Sequence, residues 1–209
     1  MKHLVLLGDS IFDNAAYVAG GPAVIDQVRQ RMPSMWKASL LAVDGDTSAM
    51  VSQQVTRIPP DATHLVLSVG GNDALGCIAS LETSATSVKH ALAFLHKIKA
   101  DFEVSYRALI STLLTLDKPL MVCTVYDHVP GLPTELKTAL SLFNDVILRE
   151  AIHQGMPVLD LRMICTEPRD YSAVSPIEPS SAGGAKVVDR MATAMMQHDF
   201  TKRECRVYV

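Results

Sequence analysis

No apolar run in this 209-residue chain approaches the roughly 18 residues needed to span a bilayer, so no membrane span is expected. The opening MKHLVLL is too short for the apolar region of a signal peptide. It runs straight into Gly8-Asp9-Ser10, and no export signal is read there. Basic blocks are missing as well. Lys and Arg number 19 against 22 Asp and Glu, a formal net charge of −3, which argues against nucleic acid or an anionic membrane surface as the main partner. Cysteine is sparse: Cys77, Cys123, Cys165 and Cys205 lie far apart and form no C-x-x-C pair. That pattern fits a reduced, cytoplasmic protein with ordinary thiols. No H-x-x-x-H or Cys/His cluster has metal-ligand spacing, and no G-x-x-x-x-G-K-S/T phosphate loop exists. Neither a metal nor a nucleotide is expected, and no other cofactor is read. There is no internal repeat and no low-complexity segment. With 48% apolar residues the chain can bury a full core, and its length suits one domain over residues 1–209.

What is present is an alternation of short apolar runs with longer amphipathic ones. His3 to Leu7, SLLAVD, THLVLSVG, PLMVCTVY and MPVLDL read as five strands. Between and after them, GPAVIDQVRQRM, TSAMVSQQV, the region from Ser84 to Thr115, PTELKTALSLFNDVILREAIHQG and SAGGAKVVDRMATAMMQH read as helices. The strands lack polar alternation, which means both of their faces are covered. Strand–helix alternation with such strands predicts a three-layer α/β/α fold, a flavodoxin-like, doubly wound, five-stranded parallel sheet. The tail DFTKRECRVYV mixes charge with a β-prone end that suits an added edge strand or a contact with another subunit.

Ligands of such sheets bind at the carboxyl ends of the strands. The loops there are Gly8-Asp9-Ser10, Asp44-Gly45-Asp46-Thr47-Ser48, Gly70-Gly71-Asn72-Asp73 and Tyr126-Asp127-His128, with Ser175-Pro176-Ile177-Glu178-Pro179-Ser180 before the last helix. Three of these loops pair glycine with short polar side chains, which lets the backbone approach a ligand and point its N–H groups inward. Each has a bland reading alone: a helix cap, a turn, a second cap. Their occurrence in order, at the ends of three successive strands, is hard to attribute to chance.

On these blocks the chain resembles an SGNH hydrolase of the GDSL esterase/lipase superfamily, over nearly its whole length. LLGDSIFDN resembles the nucleophile block, DGDTS the glycine block and GGND the G-x-N-D block. The resemblance implies a serine hydrolase acting on small carboxylic esters. Ser10 would be the nucleophile, and the N–H groups of Ser10 and Gly45 with the Asn72 amide would form an oxyanion hole. Asp9 is expected to brace the nucleophile turn and Asp73 the loop that aims Asn72. Asp13 and Asn14 are expected to begin or brace the helix after Ser10. Asp9 and Gly71 also count as substrate-binding candidates.

The last block departs from the superfamily pattern, Asp-x-x-His-Pro. Ser175 stands where the aspartate belongs and Glu178 where the histidine belongs. Two accounts are open. Glu178 can serve as an unconventional base, since a carboxylate has no tautomer to fix and the orienting aspartate becomes dispensable. Ser175 would then donate a hydrogen bond to it, and burial would have to raise its pKa. Alternatively the base is lost, and the protein binds an acyl or carbohydrate ligand with little hydrolysis. Among the histidines, His3 and His64 start strands at the wrong end of the sheet, and His90, His96, His153 and His198 lie on or near helices. Only His128 follows a strand at the correct edge, as a substitute base or a group facing substrate. Whether a serine-directed phosphonate labels Ser10 separates enzyme from binder.

Overall fold

The computed structural model describes residues 1–209. Its sheet is built from β1 (Lys2–Gly8), β2 (Trp36–Leu40), β3 (His64–Ser68), β4 (Leu120–Cys123), β5 (Val158–Leu159) and β6 (Val207–Tyr208). The spatial order is β2-β1-β3-β4-β5-β6, and every pair is parallel. The sheet therefore has six strands, not five. The added strand comes from the tail, whose backbone bonds the edge of β5: Val158 N–H to Arg206 O at 2.8 Å and Asp160 N–H to Tyr208 O at 2.9 Å. Two residues flanked by charge are too short to show a period.

The helices are α1 (Val24–Arg31), α2 (Val51–Val55), α3 (Gly71–Gly76), α4 (Ile78–Leu81), α5 (Val88–Leu114), α6 (Thr134–Gln154), α7 (Leu161–Ile164) and α8 (Ser181–Gln197). None is long and apolar enough to cross a membrane. The short α3, α4 and α7 were not expected from periodicity. Adjacent strand residues feed opposite faces. Leu4 and Leu6 join a core with α1 and α8, while Val5 and Leu7 join a second core with α5 and α6. Both faces are dry, which is why the strands carry unbroken apolar runs.

Two glycines are dictated by close approach. Gly8 has φ +126°, and a Cβ there would lie 1.7 Å from the Ser68 carbonyl oxygen. Only glycine lets β1 end against β3 and turn directly into Asp9-Ser10. Gly183, which weakens the start of α8 as a helix former, sits so close to Asp170 that a Cβ would meet its carbonyl oxygen at 2.0 Å. Helix propensity is given up so that α8 docks behind the loop carrying Glu178.

The second core is unevenly filled. Buried residues of α5 begin at Phe102 and those of α6 at Phe143, and no residue from 71 to 101 is fully buried. Above the carboxyl edge of β3 and β4 the helices enclose a cavity instead of a core.

Candidate active site

The nucleophile turn is held by a side chain that sequence reading passed over. Gln54, fully buried on α2, accepts the Gly8 N–H at 2.8 Å and donates to the Gly8 carbonyl at 2.7 Å. The same amide donates to Asp46 Oδ2 at 2.7 Å, tying the first strand end to the second loop. Asp9 Oδ1 accepts the Ile11 N–H at 3.1 Å. Ser10 is 7% exposed, and neither its N–H nor that of Gly45 has an intramolecular acceptor.

The second and third loops are cross-braced. Asp13 accepts the Asp44 N–H at 3.0 Å, and the Tyr17 hydroxyl donates to Asp44 at 2.6 Å. Asn72 donates one amide hydrogen to the Asp46 carbonyl at 3.0 Å, leaving the second hydrogen free. Asp73 accepts from the Ser48 N–H at 2.9 Å and the Ser48 hydroxyl at 2.6 Å.

The Glu178 loop is fixed on both sides of the carboxylate. The Tyr126 hydroxyl donates to the Ile177 carbonyl at 2.6 Å. Asn14, with no exposed surface, donates to the Pro179 carbonyl at 3.1 Å and accepts the Val24 N–H at 2.9 Å. So Asn14 does brace the following helix, and it also latches the Glu178 loop. The Ser172 N–H reaches the Glu178 carbonyl at 2.8 Å, and Ser180 caps α8 by accepting the Gly183 N–H at 3.1 Å.

Glu178 is 4% exposed. Burial pushes its pKa up to about 7, the nearby Ser10 hydroxyl pulls it down, and the Asp44 charge adds to the rise. The Ser10–Glu178 pair sits outside strict hydrogen-bond geometry, and Glu178 Oε2 is buried without a partner. Asp9 is displaced further, to about 8. Burial is the main cause, opposed by the Ile11 N–H and reinforced by the negative charges of Glu178 and Asp73. With no cation beside it, burial favours the protonated form of Asp9.

Asp9, Ser10, Gly71, Asn72 and Glu178 line one cavity of about 110 Å³. The remaining walls are mostly apolar side chains, from α3 to α6 and from the loops after β1, β3 and β4. Three sequence candidates do not line it. Gly45 lies exposed on the loop that Asn72 braces. Ser175 supports Glu178 through its carbonyl, which accepts the Glu178 N–H at 3.0 Å, and its hydroxyl makes no hydrogen bond to the carboxylate. A tight turn from 175 to 178 uses the backbone and aims the side chain elsewhere. His128 is 42% exposed, off the cavity, with Nδ1 3.0 Å from Asp127. From the loop after β4, Val125, Tyr126, Val129 and Leu132 line it instead, and Val125 is held by Asn144. No group of three or more His, Cys, Asp or Glu is arranged to hold a metal ion.

A family model, the GDSL-like lipase/acylhydrolase family, matches residues 6–186. No curated protein matches the chain. Among solved structures, a lipase from a goat rumen metagenome is 14% identical, with a TM-score of 0.73 over 93% of this chain and 97% of the other. An extracellular lipase from Streptomyces rimosus is 15% identical, TM-score 0.67, over 95% and 100%. A catalytic mutant of an acetylxylan esterase from Geobacillus stearothermophilus is 16% identical, TM-score 0.67, over 95% of each chain. At these identities the likeness to solved structures is one of fold.

Proposed function

The chain belongs to the GDSL-like lipase/acylhydrolase family and is an esterase-type hydrolase, and we propose that Ser10 is its nucleophile and Glu178 its general base. The carrying observation is that both are buried in the wall of one cavity, with the Glu178 loop fixed by Tyr126 and Asn14. Ionised Glu178 takes the Ser10 proton as Oγ bonds to the ester carbonyl carbon, and the carbonyl electron pair moves to oxygen. The free hydrogen of the Asn72 amide and the Ser10 N–H receive that oxyanion. Collapse breaks the C–O bond to the alcohol, which leaves with the proton from Glu178. Water then repeats the sequence on the acyl-enzyme, giving the acid and restoring Ser10.

A base is most effective when its pKa lies near the working pH, and burial supplies that to a carboxylate here. The protonated form of Asp9 matters for the same reason. A second negative charge at its position would oppose both ionisation of Glu178 and the oxyanion. Ser175 has no orienting task, because a carboxylate needs no tautomer fixed. The four free cysteines favour a reducing, cytoplasmic setting.

The test is covalent labelling with a fluorophosphonate, located by peptide mass spectrometry. Modification of Ser10, absent in Ser10→Ala, is expected. An inert Ser10 in a folded protein that binds but does not turn over esters would replace this reading with that of a binding protein on the same fold.

A further inference from the structure

The cavity beside Ser10 has a sharply divided wall. Asp9, Ser10, Ser68, Asn72, Tyr126 and Glu178 supply its polar groups, from the strand ends, the first turn of α3 and the Glu178 loop. Beyond Asn72, the walls from α3 to α6 contribute hydrocarbon, with Cys77 between α3 and α4 the sole heteroatom-bearing side chain. This layout is polar where an ester carbonyl would react and apolar beyond.

The apolar part is elongated. On α6 the lining runs from Phe143 back to Leu136, and on α5 from Ile98 back to Leu95. There it abuts a second cavity of about 450 Å³, and Leu81, Leu95 and Ala139 wall both. The second cavity carries the same two helices on to Glu135 and His90. Phe143 to Glu135 and Ile98 to His90 are each eight residues, so each wall is about 12 Å long at 1.5 Å per residue. The lining grows more polar past the shared residues, where Glu82, Thr83, Ser84, His90, Glu135 and Thr138 alternate with Ala85, Ala91 and Phe94. An alkyl chain gains by covering the first stretch and gains little beyond it.

We infer that the acyl group taken by this protein is a straight, medium-length alkyl chain laid between α5 and α6, with Leu81, Leu95 and Ala139 setting the length at which affinity stops rising. Acetyl leaves the walls uncovered. The roof suits such a ligand, since no residue from 71 to 101 is fully buried and its apolar side chains have surface left to cover.

The inference rests on the Ser10 reading for its catalytic readout alone, and its binding readout is independent. On the whole chain, kcat/KM is measured for p-nitrophenyl acetate, butyrate, hexanoate, octanoate, decanoate and palmitate. Binding of decanoate to Ser10→Ala is measured by calorimetry. Each added methylene is expected to raise kcat/KM by roughly threefold to fourfold until the junction is reached, with no further gain to palmitate. Ala139→Phe, which fills the junction, should move the decanoate-to-acetate ratio at least tenfold toward acetate and weaken decanoate binding. Leu95→Ala, which opens it, should move the optimum to a longer chain, and serves if Ala139→Phe does not fold. A series that peaks at acetate, or decanoate that fails to bind while acetate is hydrolysed, overturns the inference and leaves the catalytic reading standing. Decanoate binding that is lost in Ala139→Phe, with no ester turned over, overturns the catalytic reading and leaves this one.

Discussion

The loop that carries Glu178 and the helices that roof the cavity are both at the carboxyl edge of the sheet, yet they are built by different means. Around Glu178, side chains grip backbone: Tyr126 the Ile177 carbonyl, Asn14 the Pro179 carbonyl, Ser180 the Gly183 N–H. The roof from Ala74 to Ile98 has no fully buried residue, and the side chains it presents to the cavity are hydrocarbon apart from Cys77. Directional bonds fix a proton acceptor to within tenths of an ångström, which proton transfer needs. Non-directional contact tolerates ligands of varied shape. Substitutions in the loop should therefore change rate, and substitutions on the outer roof should change little.

The largest effect is expected for Glu178→Gln, which keeps shape and removes the acceptor. A fall in kcat of about 10³-fold on a short aryl ester is expected. In the parent, activity should climb with pH and level off above about 7, because only the carboxylate is competent and burial holds its pKa there. A Gln variant as active as the parent, or a limb near the free carboxylate value, would sink the assignment. Asn72→Ala comes next, with a loss of about 10²-fold in kcat and little change in melting temperature. An unchanged kcat would reduce Asn72 to a brace for Asp46. Tyr126→Phe removes one bond to the base loop, and a loss of about tenfold in kcat with KM nearly constant is expected. Equal losses in kcat and KM would mean the tyrosine only packs. The smallest effect belongs to Leu92→Ser on the outer roof, 60% exposed and lining neither cavity. Activity should be unchanged and stability altered by less than about 0.5 kcal/mol. A large rate loss there would mean the roof is as rigid as the loop.

The same division explains what could be read without coordinates. Strands buried on both faces announce themselves as unbroken apolar runs, so the parallel sheet was legible, as were long helices such as α6 with its left-handed cap at Gly155. Two-residue β6 and four-residue α4 and α7 span too little chain for any period to register. Glycine next to a short polar residue at a strand end marked the loops around Ser10 and Asn72. The grip on those loops was illegible, because it joins side chains to backbone groups far along the chain. Tyr126 reaches Ile177 across 51 positions, Gln54 reaches Gly8 across 46, and Asn14 reaches Pro179 across 165. A backbone acceptor leaves no signature in residue type. Ser175 shows the converse: position in a pattern suggested a hydroxyl donor, and the turn uses its carbonyl.

The latch made by Asn14 has a kinetic side. Ser10 is set by groups within the first 68 residues, Gln54 and Ser68, whereas Glu178 reaches it only when Pro179 is captured 165 positions away from Asn14. Closing so long a loop is slow relative to forming helices and pairing β1 with β2. A refolding chain would then hold a formed nucleophile turn with no base beside it. Recovery of turnover should trail recovery of the far-ultraviolet helical signal, so that this hydrolase reports through its own activity the moment at which its two ends have met.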